Sequence, residues 1–308
     1  MKTNKTFFTA AFAVCALCAC SSGADGNDHE TPEKPVPTGK LPITISTSVS
    51  GVEESRVTDY AFEAGDEAGL YVVNRRADGS AAPLQAQGNH VDNMCFTYSG
   101  TWTPASPIYW LDNETHADFY LYYPYKASVA DVEAVPYSVA ADQSTETAYK
   151  SGDVVIGSAL NVAPTESAVS IKAKHVMSQM LVTLEPGNGF TDESLAAADV
   201  SVKINGIKTA ATVNLSTATL TATGSAATIT PLHVDNAYKA LIVPQSVAEG
   251  NLITVTVDGR DFNLDKAFTF VSGKRHRFTV TLSKTSSGVN VDINPWEDDG
   301  TDNGGVAE

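Results

Sequence analysis
Apolar and polar residues alternate along much of this chain. Leu41 to Val49 sets Ile43, Ile45, Thr47 and Val49 on one face and polar residues on the other, the period of two expected of a half-buried strand. Further short β-prone runs follow at Gly69–Asn74, Asn93–Tyr98, Phe119–Tyr123, Val154–Ile156 and Val176–Leu184. The series continues through Val200–Ile204, Ala211–Leu215, Ala237–Val243, Leu252–Val257, Ala267–Val271, Phe278–Leu282 and Val289–Ile293. Such runs, about 8 to 15 residues apart, suit β-sandwiches. Turn chemistry separates them: Pro186-Gly187-Asn188-Gly189, Asn205-Gly206, Asp258-Gly259 and Ser272-Gly273. One helical stretch is predicted, over Asp192–Ala198. Without a sustained strand–helix alternation, an α/β nucleotide-binding domain is disfavoured and the predicted class is all-β.

Composition divides the strand-rich region. Most of the tyrosines and all but one of the tryptophans fall between residues 60 and 150, whereas 160 to 285 is richer in Thr, Ala and Val. A boundary in the Pro164-Thr165-Glu166 region predicts two tandem β-domains, residues 41–168 and 169–296. At 308 residues, 43% hydrophobic and 18% charged, the chain has the composition of a folded protein. A formal charge of −16 repels phosphate backbones, so nucleic acid is not an expected partner.

The first residues have another character. Lys2 and Lys5 precede an apolar run, Phe7–Ala19, too short to span a bilayer, which reads as a secretory signal. Its end, Leu17-Cys18-Ala19-Cys20, resembles the lipobox of bacterial lipoproteins, which implies a signal over residues 1–19 and lipidation at Cys20. A plain signal peptide cut nearby is the alternative. Membrane contact would then be through the lipid anchor alone, at the outer membrane and cell surface. Losing Lys2 and Lys5 with the signal takes the formal charge from −16 to −18. Residues 20–40, acidic and Pro-rich, read as a tether. Cys95 is left as the one thiol without a lipid, expected as a small buried hydrophobe within a strand.

Several segments, in order, resemble the fimbrillin-like (Mfa-like) family of Bacteroidetes. They are Arg56-Val57-Thr58, Phe62-Glu63-Ala64-Gly65-Asp66 running on to Gly69-Leu70-Tyr71, Phe96 to Trp102, and Pro107-Ile108-Tyr109-Trp110. Ala117 to Tyr125, Asp142-Gln143-Ser144, Ser151-Gly152-Asp153, His175 to Met180, Ser272-Gly273-Lys274 and Ile293-Asn294-Pro295-Trp296 complete the set. The resemblance implies two transthyretin-like β-sandwiches in tandem and a role as a type V pilus subunit, tip or anchor. It further implies assembly with other pilin subunits by donor-strand exchange, after an Arg-specific protease removes the first strand. Arg56-Val57 is the matching cleavage position, and Ile43, Ile45, Thr47 and Val49 would be the displaced strand. Arg75-Arg76 is a second basic site, but a cut there would destroy the Gly69–Asn74 strand.

The acidic tail, residues 297–308, offers no alternating strand to donate. Either Val289–Ile293 is the donor, or this chain accepts a strand and donates none, as a tip component would. No enzyme signature or metal-ligand spacing was found, the six histidines are scattered, and neither a cofactor nor a metal is expected. His175 is expected to be a structural histidine. A second function class stays open: a monomeric glycan-binding lipoprotein with Trp102 and Trp110 as stacking residues.

Overall fold
The computed structural model describes residues 39–50, 62–284, 291–295 and 304–307. In chain order the first elements are β1 Ile45–Ser50, β2 Glu67–Asn74, β3 Val91–Tyr98, β4 Trp102–Pro104, β5 Ala117–Tyr123 and β6 Val135–Ser138. Next come helix α1 Glu146–Lys150, β7 Val155–Val162, β8 Val169–His175, β9 Ser178–Pro186, helix α2 Asp192–Ala197, β10 Val200–Asn214 and β11 Thr219–Ile229. The chain continues through β12 Leu232–Val234, β13 Ala237–Ile242, β14 Gln245–Val247, β15 Asn251–Val257 and β16 Arg260–Asp265. It ends with β17 Phe268–Phe270, β18 Arg275–Leu282, β19 Val291–Pro295 and β20 Gly304–Ala307. The class is all-β, as the alternation predicted.

Four sheets result. The first runs β1-β8-β7-β5-β2-β3-β4, the second β11-β10-β15-β16 with β6 also on β10, and the third β12-β13-β9-β18-β19-β20; β14 and β17 form a small ribbon. Central strands β2 and β5 are buried on both faces, which is why they read as continuous apolar runs. On one face Leu70, Val72, Phe119 and Leu121 pack with Trp102, Trp110, Ile43 and Ile45. On the other, Tyr71, Val73, Tyr120 and Tyr122 join a core that continues through Tyr137, Met180, Val202, Ile253 and Phe278.

The halves interleave. Val169–His175, assigned from sequence to the second domain, pairs with β7 and β1 in the first sheet. In exchange, β6 from the first half pairs antiparallel with β10. The described residues accordingly form one compact unit.

Four further differences have local causes. Leu41–Val49 is not one uniform strand: Ile43 N bonds Ile108 O and Trp110 N bonds Leu41 O, each at 2.9 Å, before the chain turns to β8 at Ile45. Asn205-Gly206, expected as a turn, is instead a bulge inside the single long strand β10, with Gly206 at φ +73°. The small helix α1 is capped by the Thr145 side chain, which accepts from Ala148 N, a signal too brief to stand out in sequence. In the tail, expected to lack a strand, Gly304–Ala307 pairs parallel with β18. Asp258-Gly259 does form the β15–β16 hairpin turn, and Asp192–Ala197 is the predicted helix, one residue shorter.

Candidate functional site
Strand β1 sits at the edge of the first sheet and runs parallel to β8, in register from Ile45↔Val169 to Ser50↔Lys174. Ile45 within it, 5% exposed, and Ile43 just before it, 2%, are structural plugs. Thr47 and Val49 are half-buried. The Trp102 indole N–H donates to Thr47 Oγ1 at 3.0 Å and so ties β1 to the opposite end of its sheet. Phe62, just before β2, packs edge-on to Trp102 at 4.9 Å and to Tyr123 at 5.5 Å.

Beyond Val49 the strand leads to a cavity of about 470 Å³, walled by Val49, Phe62, Tyr123, Tyr149, Met177 and Arg275 among others. Its walls bring together sequence segments far apart in the chain. Gln179 N bonds Lys274 O and Gly273 N bonds Met177 O, both at 2.9 Å, so His175–Met180 and Ser272–Lys274 lie against each other. Asp153 accepts from His175 Nδ1 at 2.9 Å, which holds the ring at the cavity wall. Lys150 Nζ donates to Glu63 Oε1 at 2.7 Å. Arg275 Nε donates to the Gln179 carboxamide, which in turn donates to the Tyr149 hydroxyl. Tyr123 O–H donates to Asp66 Oδ1 at 3.1 Å; burial, and then the Asp66 charge, hold its phenol well above the usual tyrosine range. Sequence reasoning quoted these segments singly and missed their convergence. The available signal was that each combined a glycine or histidine with flanking polar residues just outside a strand.

The other predicted residues fall as follows. Cys20, Arg56 and Val57 lie outside the described residues. Trp102 and Trp110, 7% and 2% exposed, are core residues, and Trp110 packs edge-on to Phe119 at 5.4 Å. Stacking on a sugar needs an open ring face, and burial leaves neither with one. Cys95 is partly buried rather than fully so, and burial, with Glu67 nearby, raises its thiol above the ordinary value, away from nucleophilic behaviour. Arg75 is engaged by Asp118 at 2.9 Å and donates to Gly79 O at 3.0 Å, while Arg76 donates to Ala81 O at 2.6 Å. Both basic side chains of that second site are thus engaged, Arg76 within its own loop and Arg75 also by β5. Among the described residues, no three His, Cys, Asp or Glu side chains are grouped to hold a metal ion. None of their helices is long and apolar enough to cross a membrane.

A family model described as fimbrillin-like matches residues 55–296, most of the chain. The chain belongs to the fimbrillin-like family. A relative from Bacteroides uniformis, named "Putative fimbrium subunit Fim1C", is 30% identical over 301 residues, covering 92% of this chain and 94% of its own. "Putative fimbrium tip subunit Fim1C" of Bacteroides ovatus is 24% identical over 180 residues, spanning 53% of this chain and 32% of its own. Two crystal structures, each titled as a putative cell adhesion protein, share the fold. The one from Bacteroides uniformis has a TM-score of 0.60 at 22% identity, covering 89% of this chain and 99% of its own. The one from Bacteroides ovatus has 0.64 at 15%, covering 84% and 96%. The fimbrillin-like chain thus has relatives named for fimbria along nearly its whole length.

Proposed function
We propose that this fimbrillin-like chain is a cell-surface fimbrium component serving adhesion, at the tip or in an accessory position, and that residues 41–50 are a replaceable strand. The carrying observation is that Ile45 of edge strand β1 and Ile43 just before it are buried and fill the core of the sheet they border. β1 has a neighbour on one side and residues 41–43 add only their bonds to Ile108 and Trp110, so the segment can leave without breaking the sheet's interior. Burial of each isoleucine contributes about 1.5–3 kcal/mol. A foreign strand with equivalent apolar residues would recover that energy and the backbone pairing together.

In this reading an Arg-specific protease cuts between Arg56 and Val57, after β1 and before Phe62, and so frees the strand without touching β2. The lipid on Cys20 holds the precursor at the outer membrane until the cut. Backbone pairing of both β19 and β20 within this chain's own third sheet supports acceptance of a strand rather than donation, as does the relative named for a fimbrium tip. The role is structural rather than catalytic.

Treatment of the full chain with an Arg-specific protease, followed by mass measurement, tests the reading. A fragment ending at Arg56 is expected in the wild type and absent from Arg56→Ala. An intact wild-type chain, or one cut first at Arg75-Arg76, would overturn it.

A further inference from the structure
Open sheet edges invite pairing with other chains, and folded proteins ordinarily guard them with short strands, proline or charge. Most edges here follow that rule. β4 has three residues and ends in Pro104, β12 has three, and β16 carries Arg260, Asp261 and Asp265. β1 is uncharged, but it belongs to the exchange site described above. Among the described strands the long exception is β11, eleven residues and paired on one side to β10, whereas uncharged β20 has four. Not one Asp, Glu, Lys or Arg occurs from Thr209 to Val234, in a chain of formal charge −16. Past the strand, Thr230 N donates to Ala141 O and Thr230 O accepts from Gln143 N, both at 2.8 Å, which closes the open stretch at that end.

We propose that β11 is a second pairing edge and that its partner is β11 of another copy of this chain, joined antiparallel about a two-fold axis. Self-complementarity argues for a second copy. Thr219, Thr221 and Thr223 recur at every second position, so they line one face of the strand. An antiparallel partner of the same sequence sets threonine against threonine, a favourable cross-strand pair. On the opposite face Leu220 and Ala222 are half-buried against the chain's own core, so the pairing needs no new apolar groove. Two acidic molecules would repel each other over most of their surfaces, yet along this edge they bring no like charges together. An isologous contact of this kind joins subunits side by side and leaves the β1 edge free. In a fimbrium it would act between neighbouring fibres rather than along one.

Sedimentation of the full chain with Cys20→Ser, which removes any acyl-driven association, tests the proposal against the same chain carrying Thr221→Lys and Ala226→Lys, both exposed positions. Dimer formation that rises with concentration, and weakens about tenfold or more with the lysines, is expected. Amide exchange on the lysine-free chain is the control that does not depend on the variant folding: residues 219–229 should exchange more slowly as concentration rises. A chain that stays monomeric up to about 1 mM, a dimer indifferent to the lysines, or exchange at 219–229 independent of concentration would overturn it. Because Arg56 is intact throughout, failure here leaves the strand-exchange reading standing.

Discussion

His276 makes the stability of the third sheet sensitive to mild acid. Its ring is 4% exposed, Nε2 accepts the Val271 amide proton at 3.1 Å, and Phe268 and Phe270 stand edge-on to it at 4.9 and 5.8 Å. Burial, and then the Lys274 charge, lower its pKa from 6.5 to about 4. The folded state therefore binds the proton later than the unfolded chain does. Above pH 6.5 the ring is neutral in both states and its full contribution is present; as pH falls toward 4 the unfolded chain gains a proton that the fold refuses, and stability drops. At about 1.4 kcal/mol per pH unit, the loss across that window is about 3 kcal/mol. His276→Gln keeps an uncharged acceptor for Val271 and removes the titration. Guanidinium unfolding near pH 7 and pH 4, in both proteins, isolates the term, because every carboxylate titrates in each. The wild type should lose about 3 kcal/mol more than the variant. A difference under about 0.5 kcal/mol, the size of an ordinary surface effect, would refute the burial argument.

Other consequences are as direct. Gly69→Ala places a methyl 2.2 Å from the Tyr122 ring, whose hydroxyl donates to Asn93 at 2.5 Å, so thermal melts should show a loss of about 1–3 kcal/mol. That loss should shrink when Tyr122 is also made Leu, and equal penalties in both backgrounds would contradict the clash. Trp110→Ala should cost about 3–5 kcal/mol in denaturant unfolding, as a core residue does, and a stable variant with altered sugar binding would return the ring to a surface role. Asp118, 1% exposed, accepts from Arg75 and, at 2.6 Å, from Asn161 N; Asp118→Ala removes the acceptor of both, leaving Arg75 its bond to Gly79 O, and should destabilise by about 1–3 kcal/mol in denaturant unfolding. Metabolic labelling with a radioactive fatty acid should mark the wild type and leave Cys20→Ala unlabelled; label on both would refute the anchor.

The strand pattern was legible where burial was lopsided or complete. β2, β5, β9 and β13 announce themselves through apolar runs or alternation that ordinary β-propensity explains. β11 did not, because Thr, Ala, Ser and Gly give a weak apolar signal when neither face is deeply buried. The interleaving of β6 and β8 was invisible as well: neither was among the runs read from sequence, β6 carries Pro136, and nothing local says which sheet a strand joins. Asn205-Gly206 misled because the same left-handed glycine serves a hairpin turn or a bulge, and the choice rests on pairing partners distant in sequence. Of the candidate site, Ile43 and Ile45 were readable from their period. The cavity past Val49 was not, since its walls come from segments that meet only in the folded chain.

The central claim is that residues 41–50 are a separable strand filling an acceptor groove. Binding of a fluorescent peptide of sequence Leu41–Ser50 to the chain, before and after cleavage at Arg56-Val57 and release of the N-terminal fragment, measures this directly. The account predicts one peptide bound per cut chain and none per intact chain, with binding lost when Ile43 and Ile45 of the peptide are made Asp. A cut chain that keeps its fold and refuses the peptide, or an intact chain that binds it equally well, would contradict the claim.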